Sequence, residues 1–121
     1  GAMTEDPKNF GRFLVLLALP GTQGIYGFVI GFLIIQKIGL VGGVIPAVTM
    51  AQGLALLLAS LPIGITGMSA IMQGRVCTAG VGLAAKRPEE TGKVMVMAVF
   101  VEFYAVLGLL ISIFLLFGVQ F

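Results

Sequence analysis

The chain has 121 residues, 59% of them hydrophobic and 10% charged, with a mean hydropathy of +1.14, one Cys and neither His nor Trp. A water-soluble domain carries about 25% charged residues, so a soluble globular enzyme is excluded and a membrane protein is indicated. A single Cys without His also excludes a disulfide framework and a zinc or iron–sulfur ligand set, and 7 basic residues scattered through apolar sequence, for a net charge of +2, make no nucleic-acid surface.

Thr4-Glu5-Asp6-Pro7 opens acidic, and the apolar run after it is too long for a signal-peptide core, so the first helix is expected to be retained. Crossing a bilayer core takes roughly 20 apolar residues in an α-helix. Phe13 to Gln36, uncharged between Arg12 and Lys37, supplies a first span, expected over 10–36. Ile38 to Gly74 is uncharged but too long for one crossing. Gly42-Gly43 and Pro46 are therefore read as a turn, with a second helix over 48–85 whose last turns, beyond Arg75, project past the hydrocarbon. After a loop at 86–91 a third span is expected over 92–119, interrupted by one charge, Glu102. The expected fold is an all-α, multi-pass membrane protein, one membrane domain over 1–121. Lys8, Arg12, Arg75, Lys86, Arg87 and Lys93 fall at one end of the spans against Lys37 at the other. The positive-inside tendency places the N-terminus and the 86–91 loop in the cytoplasm, with Lys37 and Phe121 outside a cell membrane.

Sliding the sequence along itself by 81 positions sets Asp6-Pro7 on Arg87-Pro88, Gly11-Arg12 on Gly92-Lys93, Gly27 on Gly108 and Phe32 on Ile113. The first and third spans read as copies of one helix. Gly21 then occupies the place of Glu102, so one copy has the carboxylate and the other lacks it. The same register puts Gly1 opposite Gly82, near the end of the middle helix. If each repeat is a hairpin, the first lacks its opening helix: the sequence is a fragment, a partner supplies that helix, or Gly1-Ala2-Met3 is an expression scar.

Glu102 sits in mid-span, where an ionised carboxylate costs several kcal/mol unless it is paired, protonated or bound to a cation. With 1.5 Å of rise per residue, Gln23 lies about 18 Å beyond Gly11, Gln73 about 18 Å from Ala85 and Glu102 about 15 Å beyond Gly92, so the three share one layer. Leu19, Thr22, Gln23 and Tyr26 have helical spacing and lie on one face. Pro20-Gly21 within it predicts a local kink and a free backbone oxygen. A cage of oxygens with one negative charge and no nitrogen or sulfur suits a hard monovalent cation such as Na⁺, because divalent ions recruit more carboxylates. A proton needs only the carboxylate and a hydrogen-bond partner, so Thr22, Gln23 and Gln73 together favour Na⁺ over H⁺. The alternative for Gln23 and Gln73 is simple interhelical hydrogen bonding.

Ser60, Gly64, Gly67, Ala70 and Gly74 form a stripe of small residues on the middle helix, suited either to an inner ring of packed helices or to hairpin packing. Gln73 points about 120° away from that stripe. Cys77 reads as an inert packing residue.

Leu19-Pro20-Gly21-Thr22-Gln23-Gly24-Ile25-Tyr26-Gly27-Phe28, Leu61-Pro62-Ile63, Gln73-Gly74-Arg75-Val76, Lys86-Arg87-Pro88-Glu89 and Val101-Glu102-Phe103-Tyr104-Ala105 strongly resemble the membrane rotor proteolipid of V-type Na⁺-ATPases, over about residues 4–118. The resemblance implies a duplicated hairpin of four helices assembled as a ring, although the family's first helix has no counterpart in this sequence. It implies Na⁺ held by the Leu19 backbone oxygen, Thr22, Gln23, Gln73 and Glu102, with Tyr26 hydrogen-bonding to the carboxylate. It further implies identical subunits around the ring, membrane lipid, a stator subunit with a basic side chain and central-stalk subunits at the cytoplasmic loop. ATP hydrolysis is assigned elsewhere, since the chain has no Gly-rich phosphate loop or Walker lysine; the expected role is a non-catalytic transport subunit. Two alternatives remain on sequence alone: a proton-carrying proteolipid of the same ring type, and a structural or pore-forming membrane assembly.

Overall fold

Among the described residues three stretches are long and apolar enough to cross a membrane: Pro7–Lys37, Met50–Lys86 and Pro88–Gly118. Only 22%, 17% and 22% of their most apolar windows are buried within the chain, which leaves Leu17, Phe28 and Phe117 bare. Lipid tails tolerate such a surface and water does not. The computed structural model describes residues 1–44 and 47–121; Pro46, assigned to the first turn, lies outside the described residues.

Helix α1 (Phe10–Lys37) continues through Pro20. The chain turns after it where Gly39 (φ +83) and Gly43 (φ +74) adopt left-handed backbone around the 3₁₀ turn Leu40–Gly42, a conformation that glycine takes at no steric cost. Helix α2 (Met50–Thr66) opens on a reciprocal cap: the Gln52 amide N–H donates to Thr49 Oγ1 at 3.2 Å and the Thr49 N–H to Gln52 Oε1 at 3.0 Å.

The helix placed over 48–85 runs from Met50 to Lys86 as one apolar span, and within it a turn at Gly67 and Met68 divides α2 from α3 (Ser69–Lys86). The ladder tightens there, Met68 N–H donating to the Ile65 carbonyl at 3.2 Å, Ala70 N–H to Gly67 at 3.0 Å and Ile71 N–H to Met68 at 3.1 Å, all three residues back. Thr66 and Gly67 are weak helix formers, and the Thr66 hydroxyl donates to the Pro62 carbonyl at 2.8 Å, so a short 3₁₀ segment is the local compromise.

Helix α4 (Thr91–Gly118) follows the 3₁₀ turn Pro88–Glu90, as α1 follows the 3₁₀ turn Pro7–Asn9. Both helices have 28 residues, and both turns enter from an extended residue, Asp6 (φ −145, ψ 75) and Arg87 (φ −137, ψ 80). The 81-residue repeat seen in sequence is therefore a repeat of backbone conformation. Even the opening turn Ala2–Glu5 matches the last turn of α3: Asp6 N–H donates to the Ala2 carbonyl at 2.9 Å and Arg87 N–H to Leu83 at 2.7 Å.

Helix α4 is the centre of the bundle, with α2, α3 and α1 packed on it, while α1 lies mainly against α3 and diverges from α2. Buried apolar side chains form two clusters. One, near the 86–91 loop, contains Phe13, Leu16, Cys77, Ala84, Val94 and Ala98; the other, near the far ends, contains Leu56, Ala59 and Leu116. At those far ends Lys37 Nζ stands 5.9 Å from the centroid of the Phe121 ring. At the opposite end Glu90 Oε2 lies 2.6 Å from Lys93 Nζ.

The α2–α4 contact depends on Gly108. A Cβ there would stand 1.8 Å from Thr66 Oγ1, 2.8 Å from Thr66 Cβ and 2.9 Å from the Pro62 carbonyl oxygen, and backbone cannot rotate away. Nothing lies within 4 Å of the same position on Gly27, its repeat mate. Gly108→Ala is expected to lower the stability of the detergent-solubilised chain by about 1–3 kcal/mol, read from unfolding by SDS, whereas Gly27→Ala leaves it within about 0.5 kcal/mol.

Candidate functional site

Between the two apolar clusters lies a layer of buried polar side chains: Gln23 is 4% exposed, Gln73 0% and Glu102 9%. Each comes from a different helix. Gln23 is one turn after Pro20 on α1, Gln73 is one turn into α3 after the Gly67–Met68 break, and Glu102 is mid-way along α4. The common depth expected from counting residues is the depth at which the structure joins them.

Two hydrogen-bonded chains organise the layer. In the first, Thr22 Oγ1 donates to the Leu19 carbonyl at 2.7 Å and also contacts Glu102 Oε1, to which the Tyr26 hydroxyl donates at 3.1 Å. The Leu19 oxygen, Thr22, Tyr26 and Glu102 are thereby brought together. In the second, Ser69 Oγ donates to Gln23 Oε1 at 2.9 Å, Gln23 Nε2 to Gln73 Oε1 at 2.8 Å, and Gln73 Nε2 to the Ala98 carbonyl at 3.0 Å. The glutamines bond to each other rather than to Glu102. The two chains still meet through backbone, because Thr22 and Gln23 are consecutive and Ala98 is one helical turn before Glu102. Among the described residues every buried side-chain nitrogen and oxygen has a partner, as an environment without water requires.

The chemistry is that of a single acid surrounded by neutral oxygens. The Thr22 hydroxyl has one proton and two acceptors in reach. With that proton on the Leu19 carbonyl, lone pairs of Thr22 face the carboxylate, an arrangement that a proton or a cation between them stabilises. Among the described residues no three His, Cys, Asp or Glu side chains come together.

Sequence reasoning missed two members of the layer, Ser69 and the Ala98 carbonyl. Ser69 precedes Gln73 by four residues and so shares its helical face, a spacing that could have revealed it; the carbonyl leaves no side-chain signal. The stripe from Ser60 to Gly74 makes no close packing against another helix at its glycines: nothing lies within 4 Å of a Cβ on Gly64 or Gly74, and Gly67 meets only its own helix.

An apolar bundle of three spans with one acid in its mid-layer defines a membrane proteolipid. The family model for the C subunit of ATP synthase matches residues 1–34 and 57–115. V-type sodium ATPase subunit K of Enterococcus hirae is 48% identical over 113 residues, which are 93% of this chain and 69% of that protein. A-type ATP synthase subunit K of Methanocaldococcus jannaschii is 43% identical over 119 residues, 98% of this chain and 50% of that protein. The 16 kDa proteolipid of the V-type proton ATPase of Nephrops norvegicus is 29% identical over 110 residues, 90% of this chain and 67% of that protein. The chain belongs to the ATP synthase C-subunit family of ring-forming helical-hairpin proteolipids and is a multi-pass membrane protein. It spans between half and about two-thirds of the length of these relatives.

The layer's own test is Gln73→Leu, which leaves the Gln23 Nε2–H without an acceptor in an apolar setting, while the Ala98 carbonyl keeps its place in the α4 ladder. One such orphan costs about 1–3 kcal/mol, and a loss of that size is expected in SDS-induced unfolding, larger than for an exposed change such as Leu107→Ala.

Proposed function

We propose that this chain is the ion-carrying subunit of the rotor ring of a V-type rotary ATPase and that the ion is Na⁺. The observation that carries the reading is Glu102: a carboxylate 9% exposed in mid-span, faced by the hydroxyls of Thr22 and Tyr26. The ion pair found among the described residues, Lys93 with Glu90, lies away from it at the loop. The cation that neutralises Glu102 must then come from outside the chain. Na⁺ would take oxygens from the Leu19 carbonyl, Thr22, Gln23, Gln73 and Glu102, while Tyr26 keeps the carboxylate oriented. The name of the Enterococcus relative, a sodium ATPase subunit 48% identical to this chain, supports Na⁺.

The work of transport follows from charge. A bare carboxylate at the bilayer centre costs about 2.5–3.5 kcal/mol or more, and a bound cation cancels most of that, so a loaded site travels past lipid as a near-neutral unit. Identical copies around a ring present successive sites to a stator subunit, whose basic side chain competes for the carboxylate and releases the ion. Central-stalk subunits at the 86–91 loop couple the rotation to ATP turnover elsewhere. The bare small-residue stripe supports packing between copies. A proton-carrying version is the second reading, supported by the Thr22 and Tyr26 contacts, which also suit a protonated carboxyl, and by the Nephrops relative, a proton ATPase proteolipid.

Reaction of Glu102 with dicyclohexylcarbodiimide in membranes containing the assembled ATPase separates the two. Under the sodium reading Na⁺ slows labelling in a saturable way, and Glu102→Gln abolishes both labelling and ATP-driven uptake of radiolabelled Na⁺. Labelling insensitive to Na⁺ at every pH favours the proton reading, and full Na⁺ uptake by Glu102→Gln excludes both.

A further inference from the structure

Ser69 stands outside the ligand set assigned above, and its hydroxyl behaves unlike its neighbours. Along the α2–α3 rod, Ser60 donates to Leu57, Thr66 to Pro62 and Thr78 to Gly74, each to a carbonyl one turn back in its own helix, at 2.7, 2.8 and 2.7 Å. This is the usual local bond of a helical hydroxyl. Ser69 instead reaches across to α1 and donates to Gln23 Oε1 at 2.9 Å. The tightened turn at Gly67 and Met68 immediately precedes it.

The direction of the amide chain makes that bond consequential. The Ala98 carbonyl can only accept, so Gln73 must turn Nε2 toward it and Oε1 toward Gln23. Gln23 must then answer with Nε2, which leaves Gln23 Oε1 as the free end, and Ser69 supplies the donor that closes the chain. An amide oxygen has two lone pairs, so one can be held by Ser69 while the other faces a cation. An amide turned the other way presents N–H groups, which repel a cation.

We propose that Ser69 is a positioning residue of the ion site, fixing the Gln23 side-chain oxygen as a ligand for the carried cation. Ser69 touches neither Glu102 nor the ion; it acts through Gln23. This inference rests on the sodium reading and extends it to a residue outside the six assigned positions.

The test measures the Na⁺ concentration that half-protects Glu102 from dicyclohexylcarbodiimide in membranes containing the assembled ATPase, for the unsubstituted chain, Ser69→Ala, Ser69→Thr, Gln23→Ala and the Ser69→Ala, Gln23→Ala double variant. Ser69→Ala is expected to raise that concentration about fivefold, what one net hydrogen bond is worth. Ser69→Thr, which keeps the hydroxyl, stays within about twofold, and the labelling rate without Na⁺ and its pH profile are unchanged in both variants. In the Gln23→Ala background Ser69→Ala has no further effect. An unchanged concentration in Ser69→Ala overturns the inference, as does an additive effect in the double variant, or a sodium-free labelling rate that shifts with the substitution, since both mark general loosening. Absence of Na⁺ protection in the unsubstituted chain defeats the sodium reading and this inference with it, so the two failures are told apart by which sample shows them.

Discussion

The structure turns on the requirement that a carboxylic acid and two primary amides, placed where no water reaches, each find partners within the protein. Glu102, Gln23 and Gln73 come from three helices, and none can be satisfied by its own helix, whose backbone groups are largely committed to one another. Joining them fixes how far each helix slides along its neighbours. Apolar side chains cannot do this in lipid, because a Leu facing a helix and a Leu facing an acyl chain have nearly the same environment. The two apolar clusters fill space above and below the layer, while the polar layer sets the register.

The internal repeat shows how one backbone serves two purposes. α1 and α4 match residue for residue in their turns and length, yet they bury different faces. α4 buries Ala98, Glu102, Ala105, Gly108 and Ser112; the matching positions on α1 include Leu17, Gly21, Gly24 and Gly27, all exposed. α1 turns Leu16, Gln23 and Ile30 inward instead, and the partner of Gln23 in the repeat, Tyr104, is exposed on α4. The acid and a buried amide of the same layer thus occupy non-equivalent faces of equivalent helices. A duplicated helix becomes asymmetric by rotating which stripe it presents, without any change in the turns that connect it.

Much of this was legible in the sequence. Span positions follow from charge spacing, and the repeat register from Pro7 and Pro88. The shared depth of Gln23, Gln73 and Glu102 follows from the constant rise of a helix. The division of the middle helix was not legible, because Pro62, Thr66 and Gly67 are each tolerated in an apolar helix. Only together, with the Thr66 hydroxyl bound to the Pro62 carbonyl and Gly108 pressed against both, do they favour the tighter turn. Nor does sequence show which way an amide points. That depends on what stands at the end of the chain of donors and acceptors, here a backbone oxygen at Ala98 that no residue type announces.

The tightened turn and the polar layer belong together. Ile63 N–H, next to Pro62, donates to Ser112 Oγ at 3.0 Å, an interhelical bond to a backbone donor that a regular helix would have used internally. With Gly108 admitting Thr66 at close range, α2 is held against α4 at two points just before the break. The break then lets α3 start on its own path, with Ser69 and Gln73 on the face toward α1. An unbroken helix would carry the first constraint into the second, so that close packing on α4 would dictate where Gln73 points. Separating them by one short 3₁₀ turn allows tight packing on one side of the break and a correctly aimed amide on the other, and that independence is what a buried acid with so few polar neighbours requires.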